Sequence, residues 1–158
     1  MSNVNNEIMK KLLDNTKKNK KYGSDDIMFI IHRSLNENVV CYKGTELENN
    51  YEACYPFWLM TDGKKEELNV LEKYNAYGLS VTKLSENKWK MNIISLNDRN
   101  IIIVKDKNNK WKSITKINGK LSQLLGVHVQ LKNGWVSYNV DFIEIFGING
   151  EYEKKINT

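Results

Sequence analysis

Val4, Ile8 and Leu12, joined by Met9 and Leu13, recur at the spacing of an amphipathic helix. This predicts a helix over residues 4–18 with Ser2 or Asn3 as its cap. The run Tyr22-Gly23-Ser24-Asp25-Asp26 ends the helix and turns the chain. From there the apolar period changes to two. Strands are predicted at 27–33 and 38–43, and Gly44 then opens a polar, acidic loop to Asn50. Tyr55 to Met60 is the next apolar run. Pro56, the only proline, has no N–H to give to a ladder, which places the start of this run at a sheet edge or a bulge. Leu68, Leu71 and Tyr74 space a short helix over 64–74, with Asp62 as its cap and Glu66 and Glu67 near its positive end.

Leu79 to Thr82 alternates cleanly, and strand-like runs follow at 88–96, 100–105 and 110–117. Asn118-Gly119, Asn133-Gly134 and Asn149-Gly150 stand between such runs and are hairpin signals. They make the C-terminal half a meander whose last strands are Val127–Lys132, Trp135–Phe146 and Tyr152–Ile156. Many short strands separated by turns favour a mostly β fold: an antiparallel β-barrel or closed β-sandwich of roughly eight to ten strands, with an N-terminal helix and one short inserted helix. The expected organisation is a basic amphipathic helix over 1–22 and a single β-rich domain over 23–158.

Composition narrows this picture. A chain of 158 residues, 41% hydrophobic and 27% charged, is long enough to bury a core without disulfide staples. Cys41 and Cys54 have neither zinc-ligand spacing nor a leader ahead of them, which points to free thiols in the cytoplasm. No apolar run has the length of a membrane span. The net charge of +5 owes much to Lys10, Lys11, Lys17, Lys18, Lys20 and Lys21, opposed in that window by Asp14. Such a tip can attract an anionic membrane, protein or nucleic-acid surface, although most charge runs simply face water.

Chemistry is sparse. There is no phosphate-binding glycine loop, nucleophile elbow or paired-histidine metal spacing, so no cofactor, metal or catalytic residue is expected and an enzyme is the least supported class. His32 and His128 each stand alone on a strand, exposed or satisfied by a backbone group. Cys41, beside Val39 and Val40, reads as a small core hydrophobe. Lys88-Trp89-Lys90 and Lys110-Trp111-Lys112 resemble nucleic-acid platforms, but alternation puts each Trp opposite its lysines.

Two charges break the alternation. Arg33 lies in phase with Phe29 and Ile31, and Glu144 lies in phase with Phe142 and Phe146. Either Ile143 and Ile145 mark the inner face and Glu144 is exposed, or Glu144 is buried beside Tyr138 and the two phenylalanines, and a buried charge needs a partner. Closing a barrel brings its first and last strands together, so Arg33 and Glu144 are expected to pair, and removing Glu144 to cost about 3–5 kcal/mol. Arg33 would then anchor a ligand carboxylate or phosphate. Tyr42, Trp58 and Tyr77 would supply walls, making a ligand-binding set of Arg33, Tyr42, Trp58, Tyr77 and Glu144.

Phe29, Arg33 and Ser34, then Asn36, Asn38, Val39, Val40 and Tyr42, then Trp58, Ala76-Tyr77-Gly78, Ile143-Glu144, Gly147 and Tyr152-Glu153-Lys154 form an ordered series. On these residues the chain, over about 27–156, resembles a small family of bacterial and protist proteins known only as a domain of unknown function. In that family the proline lies further upstream of the Trp than Pro56 does here. The resemblance implies no activity, but it singles out Arg33 and Glu144 together. The expectation from sequence is therefore a non-enzymatic binding module for a small, partly apolar or anionic ligand. The alternative is an interaction protein that uses its basic N-terminal helix. Oligomeric state is left open.

Overall fold

The structure, a computed structural model, describes residues 4–34, 38–45, 53–132 and 140–156. Helix α1 (Asn6–Lys18) comes first, followed by β1 (Ile27–Arg33), β2 (Val39–Gly44), β3 (Cys54–Leu59) and β4 (Lys65–Glu67). After helix α2 (Val70–Asn75) come β5 (Leu79–Ser85), β6 (Lys88–Ile93), a 3-10 turn (Ile94–Leu96), β7 (Ile101–Lys105) and β8 (Trp111–Ile117). The long β9 (Lys120–Leu131), β10 (Val140–Gly147) and β11 (Tyr152–Ile156) complete the chain order. Nine strands run β4-β3-β2-β1-β9-β8-β7-β6-β5 in one strongly curled sheet, a half-barrel, and β10 pairs with both β9 and β11.

Strand β9 is the hub. Its first residues pair with β8, Gly126–Val129 pair with β1, and Leu124–Leu131 pair with β10. The β1–β9 pairing is parallel and the other described strand pairings are antiparallel, so the sheet is mostly, but not wholly, antiparallel. The strand is also longer than the Val127–Lys132 segment expected, because the Asn118-Gly119 turn leads straight into it. Both turn residues have positive φ, 51° and 81°, as a two-residue hairpin turn of this hand requires. A register shift leaves Leu125 unpaired between Leu124 and Gly126, so β9 changes phase there. Asn133-Gly134 and the start of the expected Trp135–Phe146 strand lie outside the described residues.

Both faces of the curled sheet are apolar. On the inner face, Phe29, Ile31, Val40, Tyr42 and Trp58 from one arm meet Met91, Ile101, Ile103 and Ile117 from the other, across Val127 and Val129 of the hub and Ile145 of β10. On the outer face, Met9 and Leu13 of α1 cover Ile30, Cys41, Phe57, Leu125 and Phe146. A Cβ on Gly126 would stand 2.5 Å from Met9 Sδ, so the bare backbone there lets the helix close on the sheet. The helix thus turns Met9, Leu13 and Thr16 inward, while Ile8 stays 41% exposed, which moves the buried stripe away from the expected Val4/Ile8/Leu12 line. Its N-cap is Asn5, whose side chain accepts from Ile8 N at 3.0 Å. The expected caps, Ser2 and Asn3, lie outside the described residues.

The expected helix over 64–74 is two elements. Lys65–Glu67 pair with Leu59–Phe57 as an edge strand, and α2 begins only after Asn69. Asn69 and Glu72 form a reciprocal capping box, each side chain 2.8 Å from the other's backbone N. Asp62 instead accepts from Lys64 N within a turn. Pro56 pairs with Tyr42 of β2, and the β4 pairing stops at Phe57, so the proline sits where its strand has no second neighbour.

Candidate functional site

The segment Ala76-Tyr77-Gly78 is stitched on both sides. Ala76 and Tyr77 donate their N–H groups to Glu72 O at the end of α2. Ile94 N and Ser95 N donate at 3.0 Å to Gly78 O and Ala76 O. This clamp holds the Tyr77 ring, 6% exposed, against Trp58, whose ring meets it edge-on at 5.4 Å. Trp58 Nε1 in turn donates to Glu72 Oε2 at 3.0 Å. Tyr42, wholly buried and stacked on Phe29, donates its hydroxyl proton to Tyr77 O at 2.7 Å.

Arg33 ends β1 on the inner face, in register with Val129 of β9. The next residue, Ser34, fixes that end: its N–H donates to Val129 O, and its hydroxyl accepts from Leu131 N at 2.8 Å. The Arg33 guanidinium lies close enough to the Tyr77 hydroxyl to act on it electrostatically. Burial raises the pKa of that phenol, and the neighbouring guanidinium only partly offsets the rise, so Tyr77 is a protonated hydroxyl at neutral pH. Arg33, Ala76, Tyr77, Ser95, Val129, Leu131 and Val140 line a cavity of about 360 Å³.

The five residues expected at a ligand site therefore divide. Arg33 and Tyr77 line the cavity, while Tyr42 and Trp58 stand behind the Tyr77 wall. Glu144 is on the other face. Arg33 shares its face with Val129 and hence with Ile143, whereas Glu144 pairs with His128 and lies on the outer side. The expected Arg33–Glu144 pair does not form: the carboxylate, 6% exposed, accepts instead from Tyr152 OH at 2.6 Å. No described group donates to its second oxygen. Glu144→Gln keeps the acceptor for Tyr152 and strands no cation, so it is expected to change stability by less than about 1 kcal/mol, read by urea denaturation, in place of the larger loss expected from sequence.

The outer face also holds a feature that sequence reasoning missed. His32 and His128, in register across the parallel pair, face each other with Nδ1 atoms 2.8 Å apart and rings 5.0 Å apart. His128 Nε2 lies 3.0 Å from Gln130 Oε1. That contact assigns the His128 proton to Nε2, so His128 Nδ1 accepts from His32 Nδ1. Nothing in either histidine's neighbourhood in sequence signals the other, because parallel pairing joins strands far apart in the chain.

Burial, and then the charge that His128 can carry, lower the His32 pKa below its ordinary value of 6.5. The unfolded chain then binds more protons than the folded one just below pH 6.5. The expected outcome is stability that is complete above that pH and falls as pH drops toward the folded value. His32→Phe should flatten this limb, which a series of urea midpoints from pH 7.5 to 5 would reveal.

Elsewhere, Trp89 and Trp111 pack on the inner core with rings 5.3 Å apart, so the Lys-Trp-Lys strands have their tryptophans inside. Cys41 is buried and its thiol is pushed up to about 12 by that burial. Among the described residues no group of three or more His, Cys, Asp or Glu is placed to hold a metal, and no helix is long and apolar enough to cross a membrane.

The fold and cavity define a β-rich half-barrel domain with a polar-mouthed apolar pocket. Residues 29–158 match the family described as a domain of unknown function (DUF4833), and the chain belongs to that family. No curated protein and no solved structure matches it.

Proposed function

We propose that this domain is a non-enzymatic binding module that holds a small, partly apolar ligand between Arg33 and Tyr77. One observation carries the reading: a half-buried guanidinium opens onto a cavity of about 360 Å³ whose other walls are largely aliphatic. That volume lies within the roughly 300–1,000 Å³ usual for small-molecule sites, which combine apolar walls with a few placed polar groups. The buried thiols of Cys41 and Cys54 suit a reducing, cytoplasmic setting. Native mass spectrometry of protein purified from its own source is the test. A retained small molecule that is lost in a Val129→Trp variant, which fills the cavity, supports the proposal; the bare polypeptide mass in both sinks it.

A second reading rests on Lys10, Lys11, Lys18, Lys20 and Lys21, all exposed on α1 and the turn after it. Because Met9 and Leu13 are committed to the sheet, contact with an anionic surface would be electrostatic and would not involve inserting the helix. Sedimentation with phosphatidylserine vesicles should then fall steeply with salt and vanish when these lysines become glutamine.

A further inference from the structure

We infer that the ligand is a monocarboxylate with an aliphatic body of up to about ten carbons, its head group bound end-on by Arg33; this rests on the pocket reading above. Charge is the first argument. Among the described residues of the lining Arg33 is the one that is charged, and no described carboxylate lies within ion-pair distance of it. Glu72, behind the Tyr77 wall, is already engaged by Trp58 Nε1 and Asn69 N. A single cation neutralises a single anion. A phosphate dianion would leave excess negative charge against Val129, Leu131, Val140 and Ala76, where an unpaired charge is costly.

The donors agree with this. Arg33 has only N–H groups to give, so toward the guanidinium the Tyr77 oxygen can only accept. The Tyr77 proton therefore remains available, and no described residue takes it. Ser95, exposed at the rim, adds another hydroxyl. A carboxylate only accepts, and its two oxygens match the planar fork of a guanidinium. A ligand amine would meet donors with donors.

Volume sets the length. At about 30 Å³ per water-sized group, the cavity of about 360 Å³ holds roughly twelve heavy atoms, two of them the carboxylate oxygens.

The experiment is calorimetric titration of the intact chain at pH 7.5 with octanoate, 1-octanol, octylamine and octyl phosphate, repeated on Arg33→Gln and Tyr77→Phe. Octanoate is expected to bind at least tenfold more tightly than the other three. Arg33→Gln should reduce octanoate to the level of octanol, and Tyr77→Phe should weaken octanoate several-fold while leaving octanol unchanged. Octanol binding as tightly as octanoate would overturn the carboxylate assignment and leave the pocket reading standing, as would octyl phosphate or octylamine binding more tightly. If none of the four probes binds, the pocket reading fails and the ligand class fails with it. Should Arg33→Gln not fold, the wild-type ranking and the Tyr77→Phe response still decide the matter.

Discussion

Gly78→Ala is expected to destabilise the domain by about 3 kcal/mol or more, far beyond what a methyl group on a loop ordinarily does. A Cβ at this position would lie 1.6 Å from Lys73 O and 2.6 Å from Lys73 C. Both are backbone atoms of α2, so no rotamer change relieves the clash. The last turn of α2 would have to lift, weakening the bonds from Ala76 and Tyr77 to Glu72 O and from Ile94 to Gly78 O. Tyr77 would move with them, and octanoate binding should weaken alongside the urea midpoint. Gly119→Ala is the informative control. It has a positive φ of 81° but nothing within 4 Å of the added carbon, so only the backbone penalty of about 1 kcal/mol applies. Equal losses in the two variants would mean that α2 is not packed against Gly78.

This contact gives a physical reason for the Ala76-Tyr77-Gly78 signature, which sequence alone presented only as a pattern. Alternation served well where the question was local. It put Arg33 with Phe29 and Ile31, and Glu144 with Phe142 and Phe146, and both placements agree with the structure. The relation between the two faces was not legible. Because α1 covers the outer side, Phe146 is as fully buried outside as Phe29 is inside, and two apolar faces carry no label of inner or outer. The parallel β1–β9 pairing was equally hidden, and with it the His32–His128 contact. The short β4 was hidden for another reason. Lys65, Glu66 and Glu67 are all exposed and polar, and what makes them a strand is the free edge of Phe57–Leu59 beside them.

Arg99→Met is the second variant expected to have a large effect, a loss of about 3 kcal/mol. Arg99 follows the 3-10 turn, and its side chain is only 11% exposed. Its Nη2 donates to Glu153 Oε2 at 2.7 Å, and its Nη1 donates to Lys116 O at 2.8 Å, so one guanidinium joins β11, β8 and the approach to β7. Glu153 also accepts from Asn118 N in the β8–β9 turn, at 2.6 Å. Methionine would fill much of the space but leave a largely buried carboxylate without its cation. The Arg99 hydrogen bond, opposed by burial and aided by Asn118 N and the Arg99 charge, holds Glu153 below its ordinary value of 4.5. Burial pushes Asp98 upward, but hydrogen bonds from Lys155 and the Arg99 charge outweigh it, so this carboxyl too is lowered. Both groups bind more protons when unfolded, so their stabilisation is complete above about pH 4.5 and is lost as pH falls through the lower folded values. In Arg99→Met the acid limb should therefore be shallower as well as starting from a lower midpoint. Arg99→Met combined with Glu153→Met should recover to within about 1 kcal/mol of the parent, because an apolar pair leaves no charge unpaired. A loss below about 0.5 kcal/mol in the single variant, with an unchanged acid limb, would make the cluster an ordinary surface ion pair.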